Sequence, residues 1–282
     1  MSDSFLAPLP SKVSLTLTLL TAGASINSQN NEGRTSLMLT ILANAKSPDD
    51  NLIQCLIRGG ARVNVSDNYG TTPLIFAIES CSHRMHDVNF QKAEKIVKLV
   101  ANAGADVNKP QADFSHPKWP LMLALKNDKL GDDVIKCILS ARANVNIQDK
   151  DGTPLLLAIQ HGRSDDVIKA ILECKADVNV RDHHGNTALL LALKKCRSYD
   201  VIVAIIEALA DKHDKDSEGN TPLLLAIKSG NDVRTVNLLL DYAEDVNVAD
   251  NRGKTPLMAA LQEGFSGDVI ERLIEAKADV NR

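Results

Sequence analysis

Apolar residues in this chain come in short, dense runs that return at a regular interval. Thr153-Pro154-Leu155-Leu156-Leu157-Ala158-Ile159 recurs almost unchanged as Thr221-Pro222-Leu223-Leu224-Leu225-Ala226-Ile227, and weaker copies begin at Thr72, Thr187 and Thr255. Marked by the leucine two residues past the threonine position, the copies fall at Leu37, Leu74, Leu121, Leu155, Leu189, Leu223 and Leu257, in steps of 37, 47, 34, 34, 34 and 34 residues. A fixed period in the thirties is the signature of stacked supersecondary repeats. The runs are apolar almost all round, as a helix is when neighbours cover it on both sides. Proline in the first helical turn forfeits no hydrogen bond, and the threonine before it is placed to cap the helix.

Polar punctuation completes each repeat. Asp182-His183-His184-Gly185, Asp216-Ser217-Glu218-Gly219 and Asp250-Asn251-Arg252-Gly253 are turns on one template, and Asp149-Lys150-Asp151-Gly152 is a fourth, one residue short. Second helices open at Asp133-Val134-Ile135, Asp166-Val167-Ile168, Asp200-Val201-Ile202 and Asp268-Val269-Ile270. Aspartate there meets the free N–H groups and the positive end of the helix dipole. Each repeat closes on a form of Ala-Asp-Val-Asn, as at 176–179 and 278–281. In the first full repeat the pattern predicts helices near 36–44 and 51–58, the latter ended by Gly60 in a left-handed cap. Residues 1–29 read as a lead-in and a capping half-repeat, with a helix near 12–22. Residues 30–282 read as an array of about seven repeats, with insertions near 81–91 and 110–119. The second insertion lacks the turn glycine and carries Trp119 where threonine is expected.

In the order Asp-x-x-Gly-x-Thr-Pro-Leu, two helices, Ala-Asp-Val-Asn, the pattern resembles the ankyrin repeat over residues 12–282. The resemblance implies an all-α repeat solenoid, each repeat a β-turn finger and two antiparallel helices, with fingers and first helices lining a concave, protein-binding side. Three departures qualify it. The family's histidine after Thr-Pro-Leu is replaced by Met38, Ile75, Met122, Leu156, Leu190, Leu224 and Met258, which predicts apolar packing in place of a polar network between repeats. The glycine after the second helix survives at Gly23, Gly60 and Gly104 but becomes Arg142, Lys175, Leu209, Ala243 and Lys277. Each of these, forced left-handed, costs about 1 kcal/mol. The 34-residue step implies one extra residue per repeat, placed most simply between the two helices.

Composition narrows the function. The chain is 44% apolar, 24% charged and only 3% aromatic, which suits thin aliphatic layers. A net charge of −4, both signs interspersed, gives no bulk attraction to nucleic acid or anionic membrane. The N-terminus has no basic, apolar export signal, and no run is long enough to span a bilayer. Of five cysteines, Cys55, Cys137 and Cys174 lie in apolar helical runs, which predicts reduced, mostly buried thiols and a cytoplasmic or nuclear protein.

No phosphate-cradling loop, nucleophile elbow or paired-histidine zinc helix is present, so the reading is a non-enzyme without cofactor or metal. Cys81, His83 and His86 could donate to a metal, but they have no fourth ligand, and a solvated loop is the plainer reading.

The resemblance places two turn residues and two first-helix residues of each repeat on the binding side. By register these include Tyr69, Lys150, His183, His184 and Arg252 from turns, and Lys126, His161, Lys194, Lys195 and Lys228 from helices. Trp119 is a second candidate aromatic anchor, or else is buried between repeats. Lys126, Lys194, Lys195 and Lys228 make a basic middle in a slightly acidic chain. They read either as ordinary solubilising surface or as a groove for a partner protein with an acidic face, met by a monomer. An alternative is a regulatory or targeting arm of a larger multidomain protein, an enzyme included, which the halt at Arg282 just after a closing motif keeps open.

Overall fold

The computed structural model describes residues 23–44, 50–81, 90–112 and 117–281. The expected helix near 12–22, the breaker at Ser47-Pro48 and most of the 81–91 insertion lie outside them. The described residues form fourteen helices and no strand, in two compact units, 1–143 and 144–282. The N-terminal unit holds α1 (Ser36–Asn44), α2 (Asp50–Arg58), α3 (Pro73–Ser80), α4 (Phe90–Asn102), α5 (Pro120–Lys126) and α6 (Asp132–Ser140). The C-terminal unit holds α7 (Pro154–Gln160), α8 (Asp165–Glu173), α9 (Ala188–Lys194), α10 (Tyr199–Glu207), α11 (Pro222–Lys228), α12 (Val233–Asp241), α13 (Pro256–Gln262) and α14 (Gly267–Glu275). Within each unit every first helix packs on its own second helix and on the next first helix, and second helices pack on second helices. The architecture is an all-α repeat solenoid.

Burial follows the sequence pattern. Leu155 to Ile159 of α7 are buried on every side. Second helices bury one face only: α8 hides Val167, Ile168 and Ile171 and shows Asp166 and Glu173 to solvent. Thr72, Thr153, Thr221 and Thr255 cap their helices, each hydroxyl accepting from the N–H three residues on, at 3.3 to 3.5 Å. Thr187 makes no such bond. Trp119, at the N-cap of α5, has no side-chain acceptor to offer. Ser164, Ser198 and Asp232 cap second helices in the same way.

The closing motif works as a clamp between repeats. Asp177 Oδ1 accepts the Asn179 N–H at 2.9 Å, which fixes the asparagine. Asn179 Nδ2 then donates to the Leu209 carbonyl at 3.2 Å, while its Oδ1 accepts the Asp211 N–H at 2.9 Å. Asn27, Asn64, Asn146 and Asn247 make the same pair of bonds. The gripped carbonyl belongs to the turn after a second helix. There Arg142, Lys175, Leu209 and Lys277 hold φ of +64°, +65°, +67° and +69° without being glycine. Two bonds across the junction offset the roughly 1 kcal/mol strain of that geometry. Ala243, at the same position, is not left-handed. Its clamp position is His213, whose donor and acceptor nitrogens diverge across the ring and cannot meet the junction side by side as an amide's N–H and oxygen do.

Candidate partner-binding surface

In the N-terminal unit the turns join edge to edge. The Asn68 N–H donates to the Glu32 carbonyl at 3.0 Å, and Asn68 Nδ2 donates to Asn31 O at 3.0 Å. A Cβ on Gly33 would come within 2.8 Å of the Asn68 nitrogen, so only glycine allows this approach. Asp67 Oδ1 accepts from the N–H groups of Tyr69 and Thr71 at 2.9 and 2.8 Å. This fixes the turn tip and leaves the Tyr69 side chain standing in solvent, 61% exposed. Trp119 is half-buried, its indole N–H buried without a partner among the described residues. Lys126 is half-buried at the end of α5. Ser80 and Asn127, at the ends of α3 and α5, are buried: Ser80 Oγ donates to Ala77 O and Asn127 Nδ2 to Ile78 O.

In the C-terminal unit the expected basic stripe splits into two sets with different roles. Lys194 and Lys228 are not free cations. Lys194 Nζ donates to Asn186 Oδ1 at 2.7 Å and sits 3.0 Å from Asp216 Oδ2, whose side chain is fully buried. Asp216 Oδ1 accepts from the N–H groups of Glu218 and Asn220 at 3.0 and 2.9 Å, and from Asn220 Nδ2. One repeat on, Lys228 Nζ reaches Asn220 Oδ1 at 2.8 Å and Asp250 Oδ2 at 3.1 Å. Asp182, Asn186, Lys194, Asp216, Asn220, Lys228 and Asp250 thus form one polar ladder across three turns. This corrects the expectation that apolar packing alone replaces the missing histidines. The signal for it was a lysine 22 residues before a turn aspartate, at 194 and 216 and again at 228 and 250.

The ladder sets the electrostatics of the turns. Burial raises the Asp216 carboxyl, but hydrogen bonds from Asn220 and Lys194 and the Lys194 charge outweigh it and hold it below the usual carboxylate range. Asp250 is likewise pushed up by burial and held down on balance, by the Lys254 N–H, Lys228 and the Arg252 N–H. For Asp182 the opposing groups are Asn186 and His184.

The second set points outward. Lys150, His183, His184 and Arg252 on the turns are exposed, as are His161 and Lys195 at the ends of α7 and α9. The His183 and His184 rings lie 3.8 Å apart at the turn tip. Because α7, α9, α11 and α13 pack in succession, His161 and Lys195 occupy equivalent places along one edge of the unit. Acidic neighbours share the face: Glu218 is exposed, 3.8 Å from Lys228.

The thiols also depart from expectation. Cys81 is buried, and burial pushes its thiol up to about 12 against the Ser80 hydrogen bond, a poor thiolate donor for a metal. Its companions His83 and His86 lie outside the described residues. Cys174 and Cys196 are exposed, and Cys55 and Cys137 half-buried, rather than mostly hidden. Among the described residues no helix is long and apolar enough to cross a membrane.

A family profile described as Ankyrin repeats (3 copies) matches residues 11–111, 121–216 and 197–282. Among curated proteins the chain is similar to Rabankyrin-5 of Homo sapiens and of Mus musculus, each 32% identical over 148 residues. That match takes in 51% of this chain and 11% of each relative's length.

Proposed function

This chain belongs to the ankyrin-repeat family, whose repeats are protein-interaction modules, and we propose on that premise that it is a non-catalytic module binding a partner protein through its turn tips and first-helix ends. The observation that carries the reading is the division of the lysines. Lys194, itself exposed, and Lys228 are spent on the ladder, whereas Lys150, Lys195 and Arg252, exposed with His161, His183 and His184, make no ion pair among the described residues. An outward set of cations and imidazoles fits a partner with an acidic face, where complementary charge speeds association more than it tightens the complex. In the N-terminal unit, exposed Tyr69 is the aromatic anchor, and Trp119 and Lys126 of the same unit are half-buried. No cofactor enters this reading, and the compartment that suits five free cysteines is the cytoplasm or nucleus.

Affinity capture with the wild type and with Lys150→Glu/Lys195→Glu/Arg252→Glu tests it. Proteins retained by the wild type are expected to be lost with the variant and released from the wild type by salt. An identical retained set would overturn the basic-surface reading. A second reading has its own support. The match falls within 11% of much longer relatives, which fits a targeting or regulatory arm of a larger protein.

A further inference from the structure

The second helices of the C-terminal unit pack α8 on α10, α10 on α12 and α12 on α14. Between the last two, Arg272 reaches back to α12, its Nη2 2.5 Å from Asp241 Oδ1. Two repeats earlier the arginine position is Ala204 on α10, and the aspartate position is Glu173 on α8. Alanine has no side chain long enough to reach a carboxylate. An open groove of about 590 Å³ lies here, with Ala204 and Glu173 in its lining beside Leu172, Tyr199, Val203 and Glu207. That volume lies within the range of about 300–1,000 Å³ typical of binding pockets. Leu172 is half-exposed in the groove, whereas its counterparts Ile206 and Leu240 are buried. Next to Ala208, which also lines the groove, Leu209 is 82% exposed in its left-handed turn, where the other repeats place glycine, alanine, lysine or arginine. The rim is acidic. Lys169 is engaged with Asp200 at 3.5 Å, while Glu173 and Glu207 make no ion pair among the described residues.

We propose that the α8–α10 groove docks an apolar segment of a partner protein that carries arginine or lysine, one partner cation meeting Glu173 as Arg272 meets Asp241. Leu172, Val203 and Leu209 cover the segment's apolar side chains, and Glu207 meets a second cation. The chain itself shows which side chain suits the place: α14 supplies an arginine to the α12 carboxylate, whereas α10 leaves both carboxylate and space to be filled from outside. Two acidic rims repel each other, so a second copy of the same face is not the occupant. The groove shares no residue with the turn-tip surface and does not depend on it. Its partner is basic where that one is acidic.

Selection from a random peptide library displayed on phage, with the whole chain as bait, tests it. Peptides enriched on the wild type are expected to include a class that combines apolar residues with arginine or lysine. The affinity of these peptides, synthesised and followed by fluorescence anisotropy, is expected to fall about tenfold with Ala204→Arg, which supplies within the chain the residue found at 272. Should that variant fail to fold, Glu173→Gln/Glu207→Gln, at two exposed positions, is expected to weaken the same peptides about tenfold and to flatten their salt dependence. Lys150→Glu/Lys195→Glu/Arg252→Glu is expected to bind them as the wild type does, which separates this site from the turn tips. No basic, apolar class among the enriched peptides overturns the proposal. So does equal affinity for the wild type and both groove variants. Self-association of the wild type that Ala204→Arg abolishes would also overturn it, by placing a second copy in the groove.

Discussion

Asp216 shows how one buried carboxylate can tie two repeats together. Its side chain is fully buried, yet it stays ionised because three N–H donors and Lys194 surround it. Removing the cation alone, as in Lys194→Met, leaves that charge half-satisfied and is expected to cost about 1–2 kcal/mol, read from denaturant unfolding. The group also fixes a pH dependence. Its folded carboxyl titrates below the ordinary value, so its contribution is fully present above about pH 4, where the unfolded carboxylate is ionised too, and is lost as pH falls through the depressed folded value. Melting temperature is therefore expected to be level from neutral pH down to about 4 and to fall more steeply below it than in Asp216→Asn. The turn aspartates were legible in the sequence. Their partners were not, because the lysine that reaches Asp216 belongs to the preceding repeat and was read as surface charge.

At the scale of elements, helices were the legible part. The predicted 36–44 coincides with α1, and 51–58 differs from α2 by one residue at its start. The apolar runs and the polar residues that open them determine these helices locally, whereas the turn after each second helix is decided across a junction. Four non-glycine residues accept left-handed geometry where an asparagine clamps them, and Ala243 does not where His213 replaces it. The cause can be tested by separating clamp from turn. Asn179→Ala removes both clamp bonds, to the Leu209 carbonyl and from the Asp211 N–H, and is expected to destabilise by about 2 kcal/mol. His213→Asn with Ala243→Gly supplies both clamp and compatible turn. It is expected to raise stability by about 1 kcal/mol and to slow hydrogen exchange at the Glu244 and Asp245 amides. Equal exchange in wild type and double variant would remove the clamp as the reason for the difference at Ala243.

For the whole molecule, the family and the solenoid could be read from period and motif, because every repeat states them again. The proposed surface was harder to read. Register gives each side chain a place along the repeat, but register does not tell a cation in solvent from one engaged by the next repeat. Lys194 and Lys195 are adjacent, and only the first has a buried aspartate within 3.0 Å. On the proposed reading the cations form two sets with separable jobs. The most direct test compares thermal unfolding of Lys194→Met/Lys228→Met with that of Lys150→Glu/Lys195→Glu/Arg252→Glu. A clearly lowered midpoint for the ladder pair and an unchanged midpoint for the outward triple are the predicted result. Equal midpoints for the two, or a loss confined to the outward triple, would contradict the division on which the proposed surface stands.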